Sequence, residues 1–387
     1  MRILQVVQTP QRRGAEVFAS QLSGRLRRMG HDVRTAYLYR HDEAHGLPVG
    51  VHDCMLGGDE HHYLERLLGI HPVLVNRLRR VVDEMRPDIV QVNGGRTVKY
   101  GAALASCYRE PRWGLIYRNI GAPGDWVRGY ARCLFYSRLV MPRVHGVIGV
   151  SVTTLHSVSR LYRLSVPKVC IPCAIDPEHV VPSVSRESIR AKTNTPSDAR
   201  VVLYVGRLAK EKRLDRLLRV IRMAKDRVPD LYLWIVGDGP THSTLQTLVS
   251  QLSLADCVRF CGIQQEVANY MNAADVVALS SDTEGMPAVV LEAGWLRRPT
   301  VATRVGGMNE CVLDGRTGIL IEPNDEPRFA QELAELIQRP ERLRVLGDAA
   351  RDWVEEKFTI GPIAEQYAAF YEAVLARRPR DLAWSWN

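Results

Sequence analysis

The sequence predicts an α/β protein made of two Rossmann-like, doubly wound domains. Short apolar strands alternate with segments in which apolar residues recur at helical spacing, a pattern typical of parallel sheets covered by helices. The alternation stops at a stretch rich in Pro, Ser and Thr, residues 176–200, and then begins again. A chain of 387 residues is also long enough for two domains of ordinary size. Joined by a linker, the two domains would face a central cleft at the carboxyl ends of both sheets.

The N-terminal half begins with the strand-like segment 3–8, a glycine-containing loop and a helical pattern over 15–29. Four further strands are predicted in this half, at 31–38, 88–92, 114–119 and 146–150. Residues 41–62 are rich in Gly and His, and we predict an irregular insertion there.

The second half repeats the alternation after the linker. Strands are predicted at 201–205, 231–236, 257–261, 276–280 and 300–303, and residues 340–377 have a helical pattern. The break in composition after Ile175 therefore divides the chain into an N-terminal domain, 1–176, and a C-terminal domain, 177–360.

Composition argues against several classes of protein. The chain is 46% hydrophobic and 25% charged, as is ordinary for a globular protein. It has no run of the roughly 20 apolar residues that a membrane span needs, and its first residues resemble a strand rather than a secretion signal. Eight scattered cysteines do not predict a disulfide framework. The spacing of Cys170 and Cys173 also occurs at redox and zinc sites, but no second pair accompanies them, so we predict reduced, buried thiols in a cytoplasmic protein.

Positive charge is concentrated in the first 180 residues. They hold 25 Lys and Arg against 15 Asp and Glu, whereas the remainder holds 27 against 28, and the net charge is +9. This asymmetry suggests an anionic partner for the N-terminal half, either a membrane surface or a nucleic acid. Solvated arginines without a partner are the alternative interpretation.

The segment 205–215 joins a predicted strand to a predicted helix and is rich in cations. Arg207 follows Gly206 directly at the strand end, and Lys212 lies five residues further on. At this spacing both side chains can point into the cleft, where they would stabilise the charge of a diphosphate leaving group. A solvated basic loop is the alternative.

The segment 282–292 places Glu284 and Glu292 eight positions apart around another turn from strand to helix. Pro287 lies near the first helical turn, where proline is favoured. The helix dipole and the backbone amides of this turn can bind a phosphate. Glu292, about two turns into the helix, can reach ribose hydroxyls, and Glu284 can accept hydrogen bonds from a sugar. The amides concerned belong to Gly285, Met286 and Ala288.

These features together suggest a site for a nucleotide-activated sugar. The cations suit a diphosphate, and the carboxylates suit hydroxyl groups. A glycine turn at 305–310, which includes Gly307, follows the next strand and would line the same pocket. A surface charge is the ordinary interpretation of any single glutamate, but four such features in this order argue against chance.

At these residues the chain resembles the family-four retaining glycosyltransferases, which have the GT-B fold. The resemblance is strong over 201–325 and weaker but collinear over the N-terminal half. There, Gly14-Ala-Glu16 is similar to that family's glycine loop after the first strand. The other matching segments are Gly206-Arg207 with Lys212, Gly237-Asp-Gly-Pro240, Phe260-Cys-Gly262, Glu284 with Glu292, and Gly306-Gly307 with Glu310.

The resemblance implies a nucleotide-diphosphate sugar as donor and transfer with retention of configuration. It implies that Arg207 and Lys212 contact the diphosphate, that Glu292 binds the ribose, and that Glu284 contacts the sugar. It also implies that the backbone near Ile263 holds the base and that the C-terminal segment, 361–387, crosses back to the N-terminal domain. The remaining residues expected at the donor are Gly14, Gly206, Gly237, Gly285, Met286, Pro287 and Gly307.

Two positions depart from the family's pattern. Members often carry a histidine where this chain has Arg118-Asn119, and another where it has Gln91 or Asn93. Asparagine can hydrogen-bond an acceptor but cannot act as a base near neutral pH. If configuration is retained, the leaving phosphate can itself take the acceptor proton, so that no protein base is needed. We therefore include Asn119 with Arg207, Lys212 and Glu284 among the predicted catalytic residues.

His145 and His156 are candidate substitutes for the missing histidine. Structural or solvated roles are the alternative at both positions.

Residues 128–143 combine arginines with aromatic and aliphatic residues at rough helical spacing. Such a segment can lie on an anionic leaflet and deliver a lipid-linked acceptor. A core-packing helix with an arginine-rich outer face is the alternative. This segment raises the prospect of peripheral association with the inner face of a membrane.

We therefore expect a glycosyltransferase that transfers a sugar to an acceptor hydroxyl in surface polysaccharide or glycolipid assembly. Its expected partners are the donor and a saccharide or lipid-linked acceptor, with no nucleic acid and no cofactor. No Asp-x-Asp pair follows a strand, so we expect the cations around Arg207 to replace a metal ion. One alternative is a nucleotide-sugar epimerase, against which the Arg207 loop and the paired glutamates argue. The other is a non-catalytic sugar-nucleotide-binding or nucleic-acid-binding protein, which Asn119 in place of histidine favours.

Overall fold

The computed structural model describes residues 1–40, 46–63, 65, 69–125, 127 and 129–377. The chain divides into two compact units. Unit 1 comprises Met1–Pro172 and the segment that begins at Ile360, and unit 2 comprises Cys173–Thr359. The boundaries thus follow Pro172 and Thr359, where the sequence predicted positions 176 and 360.

Unit 1 contains a seven-stranded sheet in the order β3-β2-β1-β4-β5-β6-β7, in which every pairing is parallel. Its strands are β1 (Arg2–Val7), β2 (Asp32–Tyr39), β3 (Cys54–Gly58), β4 (Ile89–Asn93), β5 (Gly114–Asn119), β6 (Gly146–Gly149) and β7 (Lys168–Cys170). The helices between them are α1 (Gly14–Arg28), α2 (Pro72–Met85), α3 (Thr97–Ser106), α4 (Tyr130–Phe135) and α5 (Val152–Tyr162). A π-turn over Tyr136–Val140 and a 3₁₀ turn over Met141–Arg143 continue α4.

Unit 2 contains a six-stranded parallel sheet in the order β10-β9-β8-β11-β12-β13. Its strands are β8 (Arg200–Val205), β9 (Leu231–Val236), β10 (Val258–Gly262), β11 (Val276–Leu279), β12 (Thr300–Thr303) and β13 (Gly318–Ile321). Its helices are α6 (Arg186–Lys192), α7 (Leu214–Lys225), α8 (His242–Gln251), α9 (Val267–Ala273), α10 (Ala288–Trp295), α11 (Met308–Cys311), α12 (Glu326–Ile337) and α13 (Pro340–Lys357). The two doubly wound parallel sheets confirm the predicted α/β class.

A final helix, α14 (Ile360–Ala376), belongs to unit 1 and packs against α1 and β5. It buries Tyr367, Tyr371 and Val374 completely or nearly so. Gly146 in β6 makes room for this helix, because a Cβ there would lie 2.8 Å from Cγ2 of Val374. The part of the predicted C-terminal segment from 378 onward lies outside the described residues.

The strands of both sheets are nearly continuous apolar runs, as expected when helices cover both faces. In β8, for example, Val201, Leu203 and Tyr204 are fully buried. Amphipathic helices supply the covering layers. Along α7, the residues that recur at helical spacing and are buried are Leu214, Leu217, Leu218, Ile221 and Ala224.

Two predictions about local structure are wrong. The insertion predicted at 41–62 contains an edge strand, β3, which pairs with β2; residues 41–45 lie outside the described part. This strand was missed because it is short and ends in two glycines, and Gly58 is required there since a Cβ would lie 2.5 Å from Leu74. The linker predicted at 176–200 contains α6, whose Arg190 is buried and hydrogen-bonded to the carbonyl of Ala199.

The described part of the chain contains no disulfide bond; Cys173 is buried and Cys170 is partly exposed. Within the described ranges, no helix is both long and apolar enough to cross a bilayer. The described residues also contain no cluster of three or more His, Cys, Asp or Glu side chains arranged to hold a metal ion.

Candidate active site

The order of the strands in unit 2 brings the two predicted segments together. The chain reverses direction across the sheet between β8 and β11, which are hydrogen-bonded neighbours. In open parallel sheets, ligands bind at such switch points, beyond the carboxyl ends of the strands. The cation segment follows β8 and the glutamate segment follows β11, so both predicted segments lie at this position.

Glycines let the loops after β8 and β9 approach each other closely. Gly237 has φ +130°, and a Cβ on it would lie 2.0 Å from the carbonyl oxygen of Gly206. Any side chain at Gly237 would therefore separate the two loops. Their close contact places Arg207 at the surface of the site, where its guanidinium has no hydrogen-bond or ion-pair partner among the described residues.

The backbone at Arg207 is held by Tyr204, whose hydroxyl donates a 3.0 Å hydrogen bond to the Arg207 carbonyl oxygen. Burial, reinforced by the negative charges of Glu284 and Glu211, raises the pKa of the Tyr204 hydroxyl. The hydroxyl therefore stays protonated and remains a donor at neutral pH.

Lys212 and Glu284 form an ion pair across the two segments. Lys212 Nζ lies 2.7 Å from Glu284 Oε1, and the hydroxyl of Ser281 donates to the same oxygen at 2.7 Å. The Glu284 side chain is only 7% exposed, whereas Lys212 retains 25%. The structure thus brings these two predicted residues into direct contact.

The turn between Glu284 and α10 offers open backbone donors. Pro287 is the N-cap of α10, in an extended conformation, and no side chain caps the helix. The amides of Gly285, Met286 and Ala288 have no acceptor within the described part of the chain. Unsatisfied amides at a helix N-terminus form a favourable site for an anion.

Glu292 lies within α10 and is half-buried. Desolvation of its carboxyl group raises the pKa to about 7. No hydrogen bond or ion pair to this side chain exists among the described residues. The carboxylate is therefore available to accept hydrogen bonds from a ligand.

The second glycine turn packs directly on the Glu284 backbone. Gly306 has φ +52°, and a Cβ on it would lie 1.8 Å from the Glu284 carbonyl oxygen. The amide of Gly307 donates to the same oxygen at 3.2 Å. These two glycines thus hold the turn that carries Glu284.

The loop after β10 lies beside the loop after β9, because the amide of Gly237 donates to the carbonyl of Gly262 at 2.8 Å. Ile263, the next residue, is 48% exposed. Nearby, the His242 ring stacks on Phe260 with centroids 5.0 Å apart, and its Nδ1 pairs with Asp238 at 2.9 Å. His242 was not among the predicted residues, although it lies only two positions after the matched segment Gly237–Pro240.

Sequence reasoning also missed an ion-pair network beneath the two segments. Arg216 is 1% exposed and donates to the carbonyl of Ser280, to Asp282 and to Asn324, at 2.7–2.9 Å. Arg213 donates to both carboxylate oxygens of Asp282 at 3.2 Å. We call Arg213, Arg216, Asp282 and Asn324 the clasp, since they tie the loop after β8 to the loop after β11. The available signal was an arginine within the apolar pattern of α7.

Gly14 and Asn119 lie in unit 1. Gly14 is exposed and opens α1. Asn119 is buried, and both polar atoms of its amide are bonded internally: Oδ1 accepts from the Tyr117 hydroxyl and Nδ2 donates to the carbonyl of Thr154, each at 2.9 Å. These bonds give the side chain a structural role, and its part in catalysis stays a prediction.

The other position that departs from the family's pattern is also buried. Gln91 and Asn93 both donate to Gln5 Oε1 at 3.0 Å, and the hydroxyl of Tyr371 donates to Gln91 Oε1 at 2.6 Å. These amides therefore join β1 and β4 to α14.

Of the two candidate substitute histidines, His145 accepts a 2.9 Å hydrogen bond at Nδ1 from the amide of Leu115. His156 is exposed on α5. The described contacts thus give His145 a structural bond and leave His156 on the surface.

Two doubly wound parallel α/β units, one with cations and carboxylates at its switch point, define the class of proteins with the GT-B fold. Comparisons with known proteins agree. The model of Glycosyltransferase Family 4 matches residues 12–179, and that of Glycosyl transferases group 1 matches residues 185–353. A GDP-mannose-dependent alpha-(1-6)-phosphatidylinositol monomannoside mannosyltransferase of Mycolicibacterium smegmatis is 31% identical over 316 residues, 73% of this chain and 75% of that protein. The chain therefore belongs to glycosyltransferase family 4.

Two further proteins illustrate how far the similarity extends. The lipopolysaccharide core biosynthesis glycosyltransferase LpsE of Rhizobium meliloti is 30% identical over 178 residues, 46% of this chain and 51% of that protein. The match thus spans about half the length of that relative. The solved structure of HepE of Anabaena in complex with UDP and glucose has a TM-score of 0.80 with 20% identity, covering 96% of this chain and all of that one. At this identity, the similarity establishes the fold alone.

Proposed function

We propose that the protein is a glycosyltransferase that moves a sugar from a nucleotide-diphosphate sugar to an acceptor hydroxyl. The observation that supports this most is the ion pair between Lys212 and Glu284 at the β8–β11 switch point. Arg207, in the same loop as Lys212, has an exposed guanidinium with no partner among the described residues. In the ion pair, a cation suited to a diphosphate and a carboxylate suited to sugar hydroxyls are held 2.7 Å apart. In the proposed donor, the bond that transfer breaks joins the diphosphate to the sugar.

Each part of the donor has a partner in this proposal. Arg207, Lys212 and the open amides before α10 bind the diphosphate. Glu292 accepts hydrogen bonds from the ribose, and Glu284 accepts them from the sugar. The base lies against the backbone near Ile263. The solved structure of HepE with UDP and glucose supports a nucleotide donor for this fold.

We propose that transfer proceeds with retention and without a metal ion or cofactor. The bond from the anomeric carbon to the leaving phosphate oxygen breaks, and the acceptor oxygen bonds to the same face of that carbon. The acceptor proton passes to the leaving phosphate, so no protein base takes part. Arg207 and Lys212 stabilise the charge that develops on the diphosphate.

The acceptor is proposed to be a glycolipid or a growing surface polysaccharide. Two relatives support this class through their names: one acts on a phosphatidylinositol monomannoside, and the other takes part in lipopolysaccharide core biosynthesis. The internally bonded Asn119 and the buried Gln91 suggest that other groups of unit 1 contact the acceptor.

We further propose that unit 1 binds the inner, cytoplasmic face of a membrane through residues 128–143, of which Arg128 lies outside the described residues. In this segment Tyr130 is 84% exposed and Leu139 62%, and both Leu134 and Phe135 are 40% exposed. Arg132, Arg138 and Arg143 are exposed among them. Apolar side chains that enter the headgroup region, flanked by arginines that attract anionic lipids, favour such binding.

Thermal shift with UDP, GDP, ADP and CDP sugars tests the donor site. We expect stabilisation by one of these donor classes in the wild-type protein and its loss in Lys212→Ala, because a cation at the diphosphate is removed. Lys210→Ala is the matched control, since Lys210 lies in the same 3₁₀ turn but is exposed and outside the ion pair. Failure of every donor to stabilise the protein, or normal binding by Lys212→Ala, would contradict the proposal.

Co-sedimentation with liposomes tests the membrane surface. We expect binding to vesicles with anionic lipids, weak binding to neutral vesicles, and a loss of roughly tenfold or more in Leu139→Asp, because a charge replaces an inserting side chain. Val345→Asp is the control, as Val345 is a comparably exposed residue of unit 2. Equal partitioning into both kinds of vesicle at low salt would remove the proposal.

A further inference from the structure

Ser281 is a buried side chain next to the site that has no predicted role. It follows β11 and is completely inaccessible to solvent. Its hydroxyl donates to Glu284 Oε1 at 2.7 Å, and its own carbonyl accepts a 2.6 Å hydrogen bond from the Thr303 hydroxyl in β12. A chain of hydrogen bonds therefore runs from β12 through Ser281 to the carboxylate.

The two oxygens of Glu284 have different surroundings. Oε1 accepts hydrogen bonds from both Ser281 and Lys212, each at 2.7 Å. Oε2 has no partner in the described part of the chain. One oxygen is thus fixed by the protein and the other is left for a ligand.

We propose that Ser281 is a positioning residue that fixes the orientation of Glu284 so that Oε2 meets the sugar of the donor. This inference rests on the proposed function of the site. Lys212 alone is a poor anchor for this purpose, because a lysine ammonium is a point charge on a flexible stem and follows the diphosphate. Ser281 is short, buried and bonded to the sheet, so it holds Oε1 in one place whether or not Lys212 turns to the ligand.

The neighbouring residue, Ser280, makes different hydrogen bonds, which supports a separate role for Ser281. The hydroxyl of Ser280 donates to the carbonyls of Arg213 and Lys212, at 2.7 and 3.2 Å. Ser280 therefore holds the backbone of the cation loop, and Ser281 alone of the two contacts the carboxylate.

Calorimetric titration of Ser281→Ala with UDP and UDP-glucose, or with the diphosphate and sugar conjugate that stabilise the wild type best, tests the inference. We expect affinity for the free diphosphate within about twofold of wild type. Affinity for the sugar conjugate and kcat of sugar transfer or donor hydrolysis should fall roughly tenfold, because a hydrogen bond to a charged group is lost. Discrimination between epimeric donor sugars should fall as well. Ser281→Cys, with a weak thiol donor of similar size, should lie between the two.

Thr193→Val is the matched control, because it also removes a buried hydroxyl of unit 2, one that donates to Ile189. Wild-type sugar affinity and discrimination in Ser281→Ala would overturn the inference, as would equal losses for the diphosphate and its sugar conjugate. If Ser281→Ala does not fold, Ser281→Cys decides between these outcomes. Absence of nucleotide binding by the wild-type protein would instead overturn the proposed function, and the inference with it.

Discussion

Glu292 is a glutamate whose negative charge is unfavourable in the free protein and would become favourable when a ligand binds. Its carboxyl group is desolvated within α10 and has no donor or cation among the described residues, which raises its pKa to about 7. A carboxylate in such a place gains stabilisation only when donors arrive. The ribose hydroxyls of the proposed donor would supply them.

This feature predicts a pH-dependent cost in stability. The pKa is 4.5 for the exposed group and about 7 in the folded protein, so the unfolded chain ionises first as the pH rises. The folded state therefore loses stability between about pH 4.5 and 7, by up to about 3 kcal/mol from this group. Glu292→Gln should avoid that loss. We expect it to be more stable than wild type by about 1–3 kcal/mol at pH 8, and by less at pH 5.

Urea denaturation at both pH values measures this difference. Glu365→Gln is the control, because Glu365 is an exposed glutamate on α14. An equal change with pH in wild type and Glu292→Gln would show that the carboxyl group is not destabilised. Glu292→Gln should also lose donor binding, so the more stable variant would be the inactive one.

At the scale of elements, the clasp decides how the loops after β8 and β11 meet. Arg216 is nearly inaccessible and donates hydrogen bonds to Ser280 and Asp282 in the loop after β11 and to Asn324, which follows β13. Burial of an arginine costs free energy that its hydrogen bonds must offset, and here both terminal nitrogens of Arg216 donate, whereas its Nε has no partner among the described residues. Its contacts thereby place Lys212 within reach of Glu284.

Arg216→Met should therefore destabilise the protein by about 2–4 kcal/mol and weaken donor binding, because three acceptors each lose a hydrogen bond and Asp282 keeps only its bonds to Arg213. Chemical denaturation and calorimetry measure the two effects. Arg222 lies on the same helix as Arg216, and Arg222→Ala, which removes an exposed ion pair with the C-cap residue Asp226, should cost less than about 1 kcal/mol. Similar losses for both variants would indicate that the clasp is no more than a surface ion pair.

Contacts within the segments 205–215 and 282–292 are local in sequence, whereas those of the clasp are not, and this difference explains which parts of the site could be predicted. Glu284, Pro287 and Glu292 lie within nine consecutive residues, from the turn after β11 into α10, so local spacing alone could group them. The clasp joins residues 66 and 108 positions apart, and no local pattern encodes such contacts.

The secondary structure divides in the same way. Long apolar strands such as β8 were predicted because burial on both faces marks their sequence. The edge strand β3 and the short helix α6 were missed, since one is glycine-rich and the other is short and mostly polar. The structural roles of Asn119 and Gln91 could not be predicted from the sequence, because their hydrogen-bond partners lie on other elements.

At the scale of the whole molecule, unit 1 is built from two separated parts of the chain. The helix α14 completes it by burying Ile363, Tyr367 and Tyr371 and by bonding to Gln91. Without this helix, the apolar surface of unit 1 that it covers at α1 and β5 would be exposed to water. Unit 2 lies between the two parts in sequence and has its own core.

Truncation after Thr359 should therefore unfold unit 1 and leave unit 2 folded. Limited proteolysis should degrade residues 1–172 quickly and spare 173–359, whereas the full chain should resist over both units. Truncation after residue 377 is the control, because it keeps α14 intact. Equal resistance of both units after removal of α14 would contradict this account.

The interrupted construction of unit 1 also has a consequence during synthesis on the ribosome. Domains generally fold as they emerge, the N-terminal one first. Here the N-terminal sheet emerges first but must wait for α14, which is made after the whole of unit 2. Unit 2 can therefore finish folding while unit 1 is still incomplete, with its arginine-rich surface and unfinished core exposed to chaperones and proteases until translation has passed α14.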